Sequence, residues 1–297
     1  MTRVWPRIEE RAIHGAVLAC ALISIITTAA IIGILALESC RFFERISPLS
    51  FLFGTRWAPL LEPRSYGILP LVCGTLLVAG GALLLAVPVG LASGIYLSEY
   101  AHPAVRAVVK PILEVLAGIP TVVYGYFALT FITPHILKPL LPDVQIFNAA
   151  SAAIVVGVMI IPTVASLCDD AFSAVPRSLR EGAYALSATR LEVSTRVVLP
   201  AAMSGVVAGV LLAFARAIGE TMAVTLAAGA TPKLTLDPTQ SVQTMTSYIV
   251  QVSLGDTPHG TIEYQTIFAV GALLFAMTLA FNVAAHRVLS GFREVQE

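Results

Sequence analysis

An arginine and a glutamate four residues apart stand inside one of the most apolar stretches of the chain. Arg216 and Glu220 occur in the run FARAIGETMAV, residues 214–224. If that run is one helix, the two side chains lie on the same face, one turn apart. A charged side chain at the bilayer centre costs about 2.5–3.5 kcal/mol on insertion scales, so each needs a partner. One interpretation is a buried ion pair that locks the helix against its neighbours, with Gly219 allowing close packing.

The composition is that of a membrane protein. Of the 297 residues, 57% are hydrophobic and 12% are charged, whereas soluble domains carry about 25% charged residues. Lys plus Arg and Asp plus Glu both number 18, so net charge indicates no partner such as nucleic acid. The four cysteines form no CxxC or Cys/His cluster. We therefore expect neither a metal site nor a disulfide framework.

Six segments are long and apolar enough to span a membrane, which takes about 20 residues. The first is longer than a signal-peptide core of about 7–15 residues, so we interpret it as a retained helix. The third contains Gly118 and Pro120, and such breaks are tolerated where neighbours or a cavity satisfy the backbone. The segments are 15–37, 68–97, 111–133, 148–168, 201–229 and 265–288. The sequence therefore predicts an all-α membrane protein with six transmembrane helices.

The distribution of Lys and Arg predicts the orientation, because cytoplasmic loops are enriched in both. With the N-terminus in the cytoplasm, eleven of the 18 basic residues fall on the cytoplasmic side and six on the outer side. Both termini are then cytoplasmic. The predicted organisation is a cytoplasmic segment 1–13, a membrane domain 14–290 and a cytoplasmic tail 291–297.

Two long loops, 38–67 and 230–264, are predicted on the outer side. The second contains a polar stretch, SVQTMTSYIVQVS, at residues 241–253. We expect this stretch to form a short helix on the surface.

The most informative loop lies between the fourth and fifth predicted spans. Pro176 can open a helix there, and Leu179, Ala183 and Leu186 recur at helical spacing as one apolar stripe. The rest of its surface is expected to be polar and solvated: Arg177, Arg180, Glu181 and Arg190. This pattern is typical of an amphipathic helix on a membrane surface, and equally of a helix that fills a groove on a soluble protein.

This loop resembles the EAA loop of binding-protein-dependent ABC transporter permeases. The EAA pattern is Glu-Ala-Ala, three residues, Gly, nine residues, Ile, one residue and Leu-Pro. The corresponding positions here are Glu181-Gly182-Ala183, Ser187, Val197 and Leu199-Pro200, and the spacing matches at every step. Ser187 is the least conservative departure, because Gly usually supplies a turn with unrestricted φ.

The resemblance extends to the PstC-type permeases of the phosphate-specific transport system. The runs LAGIPTVVYGYFAL, VPRSLREGAYALSATR and RAIGETMAV are each similar to that group, and so is TMTSYIVQVSLGDTPHGTIEYQTIFAVG. The similarity covers nearly all of the chain from about residue 50 onward.

The resemblance implies a MetI-like ABC importer permease for inorganic phosphate in the bacterial inner membrane. Its expected partners are a second, PstA-like permease, two copies of a PstB-like cytoplasmic ATPase and an extracytoplasmic PstS-like phosphate-binding protein, besides membrane lipid. The chain contains no GxxxxGK[ST] phosphate loop. It is therefore expected to be no enzyme and to need no cofactor, since ATP-Mg would be bound by the partner ATPase.

The resemblance also implies two sets of functional residues. The loop 169–200 would couple the permease to the ATPase through a coupling helix that includes Arg180, Glu181, Gly182, Ala183, Leu186 and Ser187. The second set would line the translocation pathway: Arg216, Glu220, Thr221, Thr121 and Tyr124. A guanidinium fork matches two phosphate oxygens. A pore must also release its substrate, so Glu220 would moderate the attraction of Arg216 for the anion.

Other functions remain open on the residues alone. The same architecture could carry another oxyanion, such as sulfate or molybdate, or the chain could be the PstA-type partner subunit. An intramembrane protease would need a Ser/His or paired-Asp set on facing helices, or a HExxH motif. We find none of these in the sequence, so no catalytic residues are expected.

Overall fold

A computed structural model describes residues 5–293, and the fold is almost entirely helical. In chain order the helices are α1 (Trp5–Phe43), α2 (Pro48–Phe53), α3 (Leu69–Ile95), α4 (Pro103–Ala117), α5 (Thr121–Phe127), α6 (Lys138–Leu140), α7 (Ala149–Ser173), α8 (Arg177–Ala185), α9 (Arg190–Glu192), α10 (Leu199–Ala201), α11 (Met203–Gly219), α12 (Met222–Ala228), α13 (Met245–Leu254) and α14 (Ile262–Arg293). Wider π-helical turns extend α3 over Tyr96–Tyr100, join α5 to α6 over Ala128–Leu137 and join α9 to α10 over Val193–Val198. Strands β1 (Trp57–Ala58) and β2 (Ser65–Tyr66) pair as an antiparallel hairpin.

The membrane-spanning helices agree in number with the prediction. Within residues 5–293, α1, α3 with its π-helical extension, α7 and α14 are each long and apolar enough to cross a membrane. Two further spans are bent pairs: α4 with the α5–α6 segment at 85°, and the α9–α10 segment with α11 at 72°. Counted as one span each, they bring the total to six and confirm the all-α, six-helix class.

The span predicted over 111–133 is broken, at the position that Gly118 and Pro120 indicated in the sequence. Helix α4 ends at Ala117, and the chain turns before α5 begins at Thr121. Proline has no backbone N–H and disfavours helical geometry in the residue before it, so Pro120 stops α4 and opens α5.

The predicted continuous helix over 201–229 is wrong, because the chain breaks twice there. Ala202 separates α10 from α11, and the backbone at Glu220 is extended, with a ψ of 131°. Helix α12 then restarts at Met222. The second break has a direct consequence for the charged pair, since Arg216 is helical and Glu220 is not.

The centre of the fold is the contact between α3 and α7, which pack through small residues. A Cβ atom at Gly94 would lie 2.7 Å from the Cβ of Cys168, and one at Gly90 would lie 2.6 Å from the Cβ of Val164. Such close approach is how membrane helices gain packing energy without a hydrophobic driving force. Helix α7 therefore provides the rigid support for the sites described below.

A second, smaller core packs residues of the loops 38–67 and 230–264 together. The rings of Phe42, Phe51, Trp57 and Tyr248 are buried there and meet edge to face. It joins the end of α1, the β-hairpin, α13 and the start of α14.

The polar stretch at 241–253 does form a helix, α13, but the prediction that it lies on the surface is wrong. Residues 242–248 are all buried. Thr244 caps α13 by accepting a hydrogen bond from the Ser247 amide, and Thr75 on α3 accepts one from the Met245 amide at 3.0 Å. These hydroxyl groups satisfy backbone donors inside the protein, so this part of the loop 230–264 can be buried.

Candidate translocation site and coupling loop

Arg216 and Glu220 do not form the ion pair that a continuous helix would give. Among the described residues the ion pairs do not include this one, and the two side chains have different partners. Arg216, in the last turn of α11, donates from Nη1 to Thr163 Oγ1 on α7 at 3.2 Å. Glu220 Oε1 instead accepts a hydrogen bond from the Ala223 amide at 3.2 Å, at the start of α12. The interpretation of a structural ion pair is therefore overturned.

The guanidinium of Arg216 is exposed in this chain, although it lies in an apolar membrane span. An arginine at membrane depth faces a water-filled route or a protein partner rather than lipid. The helix break frees it from its neighbouring acid. Arg216 is thus available to an anion or to a second subunit.

The two broken spans meet close to Arg216. Helices α5 and α12, which follow the two breaks, pack tightly: a Cβ atom at Gly125 would lie 2.9 Å from the Cβ of Leu226. Tyr124 on α5 donates from its hydroxyl to the Leu116 carbonyl at 2.9 Å, across the break between α4 and α5. Arg216 interacts electrostatically with Tyr124. The structure thus brings together Arg216, Tyr124 and the two breaks, which lie far apart in the sequence.

The two threonines of the predicted pathway set, Thr221 and Thr121, lie at the two helix breaks. Thr221 donates to the Gly219 carbonyl at 3.0 Å, within the break itself. Thr121 is the first residue of α5. Their place in a pathway stays a prediction.

Two residues near the site were missed by the sequence reasoning. Thr163 receives the Arg216 hydrogen bond, and Thr246 donates from Oγ1 to the Glu220 carbonyl at 2.9 Å. Thr163 follows Pro162 inside α7, a weak signal of a special position. Nothing in the sequence indicated Thr246, because its partner lies 26 residues away across a loop.

The loop 169–200 contains the predicted short helix, α8, with an exposed apolar end. Leu186 is 86% exposed, and Leu179 and Tyr184 are also exposed. Glu181 and Gly182 are exposed as well, whereas Ala183 is half-buried against the core. A surface of this kind suits a helix that docks into a groove.

Ser187, at the position of the pattern's Gly, adopts the left-handed backbone that a glycine would supply. Its φ is 64°, and among the described residues it is the only non-glycine with a positive φ. The turn geometry of the EAA pattern is therefore kept despite the substitution.

The segment after Ser187 is stabilised by a capping box. Thr189 caps α9, and the Glu192 side chain accepts hydrogen bonds from the Thr189 amide and hydroxyl, both at 2.9 Å. The Glu192 amide in turn donates to the Thr189 hydroxyl, so the two side chains satisfy backbone donors at the start of α9.

Arg180 differs from its expected role as a solvated face of the loop. Its guanidinium binds the carboxylate of Glu99, at the end of the α3 extension, with Nη2 2.8 Å from Oε1. It also donates to the carbonyls of Phe172 and Val175 at the end of α7. The side chain faces inward because the last carbonyls of α7 need donors.

A second charge cluster lies near Arg180 on α7. The carboxylate of Asp169 is fully buried and binds Arg106 at 2.8 Å and Lys110 at 3.2 Å, both on α4. Lys110 also pairs with Asp170 at 2.9 Å. The two basic residues are four apart and share one face of α4, so this face is tied to α7.

Comparison with known proteins accounts for this architecture. A family model described as the binding-protein-dependent transport system inner membrane component matches residues 86–290. The chain is 36% identical over 281 residues to a probable ABC transporter permease protein, YqgH, of Bacillus subtilis, covering 94% of this chain and 90% of that protein. It is 32% identical to the phosphate transport system permease protein PstC of Haemophilus influenzae, covering 93% and 91% of the two chains.

Solved structures show the same fold at low sequence identity. A chain of a bacterial alginate ABC transporter superposes with a TM-score of 0.66 at 19% identity, covering 95% of this chain and 96% of that one. A chain of the MetNI methionine ABC transporter gives a TM-score of 0.57 at 16% identity, covering 76% and 94%. The chain therefore belongs to the binding-protein-dependent transport system inner membrane component family, and is a multi-pass inner membrane permease of an ABC importer rather than its ATPase.

Proposed function

We propose that this chain is a PstC-type permease, which forms with a second permease the route for inorganic phosphate through an ATP-driven importer. The relatives named PstC support this assignment: those of Haemophilus influenzae and Xylella fastidiosa are 32% and 34% identical to the chain. The relative from Bacillus subtilis carries a name without a substrate. Substrate identity is therefore the first point that an experiment must test.

One observation carries the proposal of an anion route. Arg216 is exposed in a membrane span, and its nearest acid along the chain is bound to the start of α12 instead. Its Nη1 reaches only the neutral hydroxyl of Thr163. A guanidinium without a carboxylate partner keeps its charge and its fork of donors for two oxygens of a tetrahedral anion.

The surroundings of Arg216 favour a weak contact rather than a high-affinity pocket. Arg216 lies in the last turn of α11, where the helix carbonyls carry partial negative charge. Glu220 follows four residues later and adds a negative charge without pairing. Both reduce the attraction for an anion, which suits a pathway that must release its substrate. Selectivity would then lie mostly in the binding protein.

The exposed end of α8 supports the proposed coupling role. Leu186, Tyr184 and Leu179 present apolar surface beside Glu181 and Gly182, and this surface would dock into a cytoplasmic ATPase. The complete transporter would contain this chain, a PstA-like permease, two PstB-like ATPase subunits and an extracytoplasmic PstS-like binding protein.

The substrate is tested by uptake into vesicles that contain the assembled transporter. We expect ATP-dependent uptake of labelled phosphate that excess sulfate and molybdate do not inhibit. Equal inhibition by sulfate or molybdate would assign the permease to another oxyanion. This measurement is independent of any variant.

The anion route is tested by Arg216→Lys and Glu220→Gln in transporters that still assemble. Lysine loses the two-pronged contact, so maximal uptake should fall about tenfold, the equivalent of one charge-assisted hydrogen bond. Glu220→Gln should lower both KM and the maximal rate, because the anion is released more slowly. Arg56→Lys, an exposed outer residue, is the matched control. Near-normal transport by both Arg216→Lys and Glu220→Gln would contradict the route through Arg216.

A further inference from the structure

The guanidinium of Arg180 joins three elements of the cytoplasmic side. Its Nε lies 3.2 and 3.3 Å from the two carboxylate oxygens of Glu99, and its Nη2 lies 2.8 Å from Oε1. Its Nη2 and Nη1 also donate to the carbonyls of Phe172, at 2.7 Å, and Val175, at 2.6 Å. One side chain on α8 is thereby attached to the end of α7 and to the extension of α3.

This ion pair is well shielded from water for a site at the edge of the fold. The side chain of Arg180 is 17% exposed and that of Glu99 is 8% exposed. Removing one member of such a pair leaves the other charge buried and uncompensated, whereas apolar residues of similar size could replace both with little loss of stability. A pair of this kind is therefore better suited to hold two elements in a defined relation than to stabilise the fold.

The second cluster continues the connection to α4. Asp169, one helical turn before Ser173 at the end of α7, is fully buried and accepts from Arg106 and Lys110. Arg106 Nη2 also donates to the Ser173 hydroxyl at 3.0 Å. Helix α4 leads directly to the break before α5, where the Tyr124 hydroxyl donates to the Leu116 carbonyl. The described contacts thus form an unbroken series from α8 to the neighbourhood of Arg216.

A polar cavity of about 410 Å3 separates the two charge clusters. Its walls include Arg106 on α4, Glu99 and Ser98 on the α3 extension, and Arg177, Arg180 and Glu181 on α8. The side of α8 that faces α4 therefore borders a cavity rather than a close-packed apolar interface. On the side of α8 that faces α4, charge-assisted hydrogen bonds connect α8 to the spans, and such bonds have a preferred length and direction.

We propose that Arg180 is a positioning residue for energy coupling, which through Glu99 transmits displacement of α8 to α3 and, through the end of α7 and Asp169, to α4. The inference rests on the proposed docking of α8 into an ATPase. It assigns to Arg180 an internal role, distinct from the exposed residues of α8 that meet the partner. Binding of the ATPase and transmission of its movement are then separate properties of the same loop.

The test uses the whole transporter reconstituted in vesicles, with uptake and ATP hydrolysis measured together. In Glu99→Gln the carboxylate is replaced by an amide of the same shape, while the α7 carbonyls still accept from Arg180. We expect the ATPase to copurify and hydrolyse ATP, and the amount of phosphate taken up per ATP to fall at least tenfold. Arg190→Gln, an exposed residue of the same loop outside α8, is the matched control and should keep the wild-type ratio.

A cycle of variants separates transmission from simple anchoring. If Glu99 acts through Arg180, the double variant Glu99→Gln/Arg180→Gln should have the same ratio as Arg180→Gln alone. If the double variant loses phosphate uptake per ATP by the product of the two single losses, the proposal is overturned. A wild-type amount of phosphate per ATP in Glu99→Gln would overturn it as well. If Glu99→Gln fails to assemble, Arg180→Lys is measured instead, because lysine cannot reach the carboxylate and both carbonyls together. A wild-type amount of phosphate per ATP in Arg180→Lys would also overturn the proposal. If no ATPase copurifies with the wild-type chain, the proposed function itself is refuted.

Discussion

Ser187 shows how a single residue can keep a turn that its side chain disfavours. Its φ of 64° lies in the left-handed region, where a Cβ atom crowds the following carbonyl oxygen. The residue ends the turn after α8, and its amide donates to the Tyr184 carbonyl at 2.9 Å. The strain is tolerated because the capping box at Thr189 fixes the chain immediately afterwards.

Replacing Ser187 with glycine should stabilise the protein by about 1 kcal/mol, because glycine adopts a positive φ without the Cβ penalty. Ser187→Val should destabilise by more, since a β-branched side chain fits this region worst. The measurement is the thermal unfolding midpoint of the purified transporter. Ser178→Gly, in the first turn of α8, is the control and should destabilise. If Ser187→Gly and Ser178→Gly shift the midpoint alike, the turn is not under the inferred strain.

At the scale of elements, the breaks in the third and fifth spans shape the candidate site. Each break exposes backbone groups that a continuous helix would have paired. At each break a carbonyl accepts a hydrogen bond from a side-chain hydroxyl beyond the break. Tyr124 donates to the Leu116 carbonyl at the first break, and Thr246 donates to the Glu220 carbonyl at the second. The first turn of α13, which contains Thr246, therefore contributes directly to the geometry around Glu220.

Thr246→Val removes the donor from the Glu220 carbonyl while keeping the shape of the side chain. Leaving this part-buried acceptor unpaired costs free energy, up to the about 1–3 kcal/mol of a fully buried group, so the variant should lower the unfolding midpoint of the purified transporter. Thr130→Val is the control, because that exposed hydroxyl bonds the Tyr126 carbonyl of its own helix. We expect its midpoint to change little. An unchanged midpoint in Thr246→Val would show that α13 does not support the break.

At the scale of the whole molecule, the surface of the isolated chain indicates assembly. Two exposed surfaces of the chain would be covered in a complete importer. One is the apolar end of α8, and the other is the apolar span around Arg216, which would face a partner subunit or a water-filled route. The family assignment agrees, since such permeases act within an ABC importer.

The distribution of Lys and Arg predicts that both termini are cytoplasmic. Epitope tags fused at either end should therefore be cleaved by protease in inside-out vesicles and protected in intact spheroplasts. A tag inserted after Thr257, in the outer loop, should behave in the opposite way. Protection of a terminal tag in inside-out vesicles would reverse the orientation, and with it the cytoplasmic position of α8.

Much of the architecture was predictable because its causes are local. Apolar runs of membrane length indicated the six spans, and Pro120 marked one break through its own backbone chemistry. The spacing from Glu181 to Pro200 indicated the coupling loop. The break at Glu220 was not predictable, since Gly219 and Glu220 are both compatible with a helix in an apolar run.

The class of the protein, the number of spans and the family follow from the amino-acid sequence, because length, hydropathy and motif spacing are properties of short segments. Which charges meet depends on the folded chain. Arg216 binds Thr163 instead of Glu220, and Arg180 binds Glu99 from 81 residues away. Charged and hydroxyl groups in an apolar interior take the partners that folding brings within hydrogen-bond distance, and that distance is unrelated to separation along the chain.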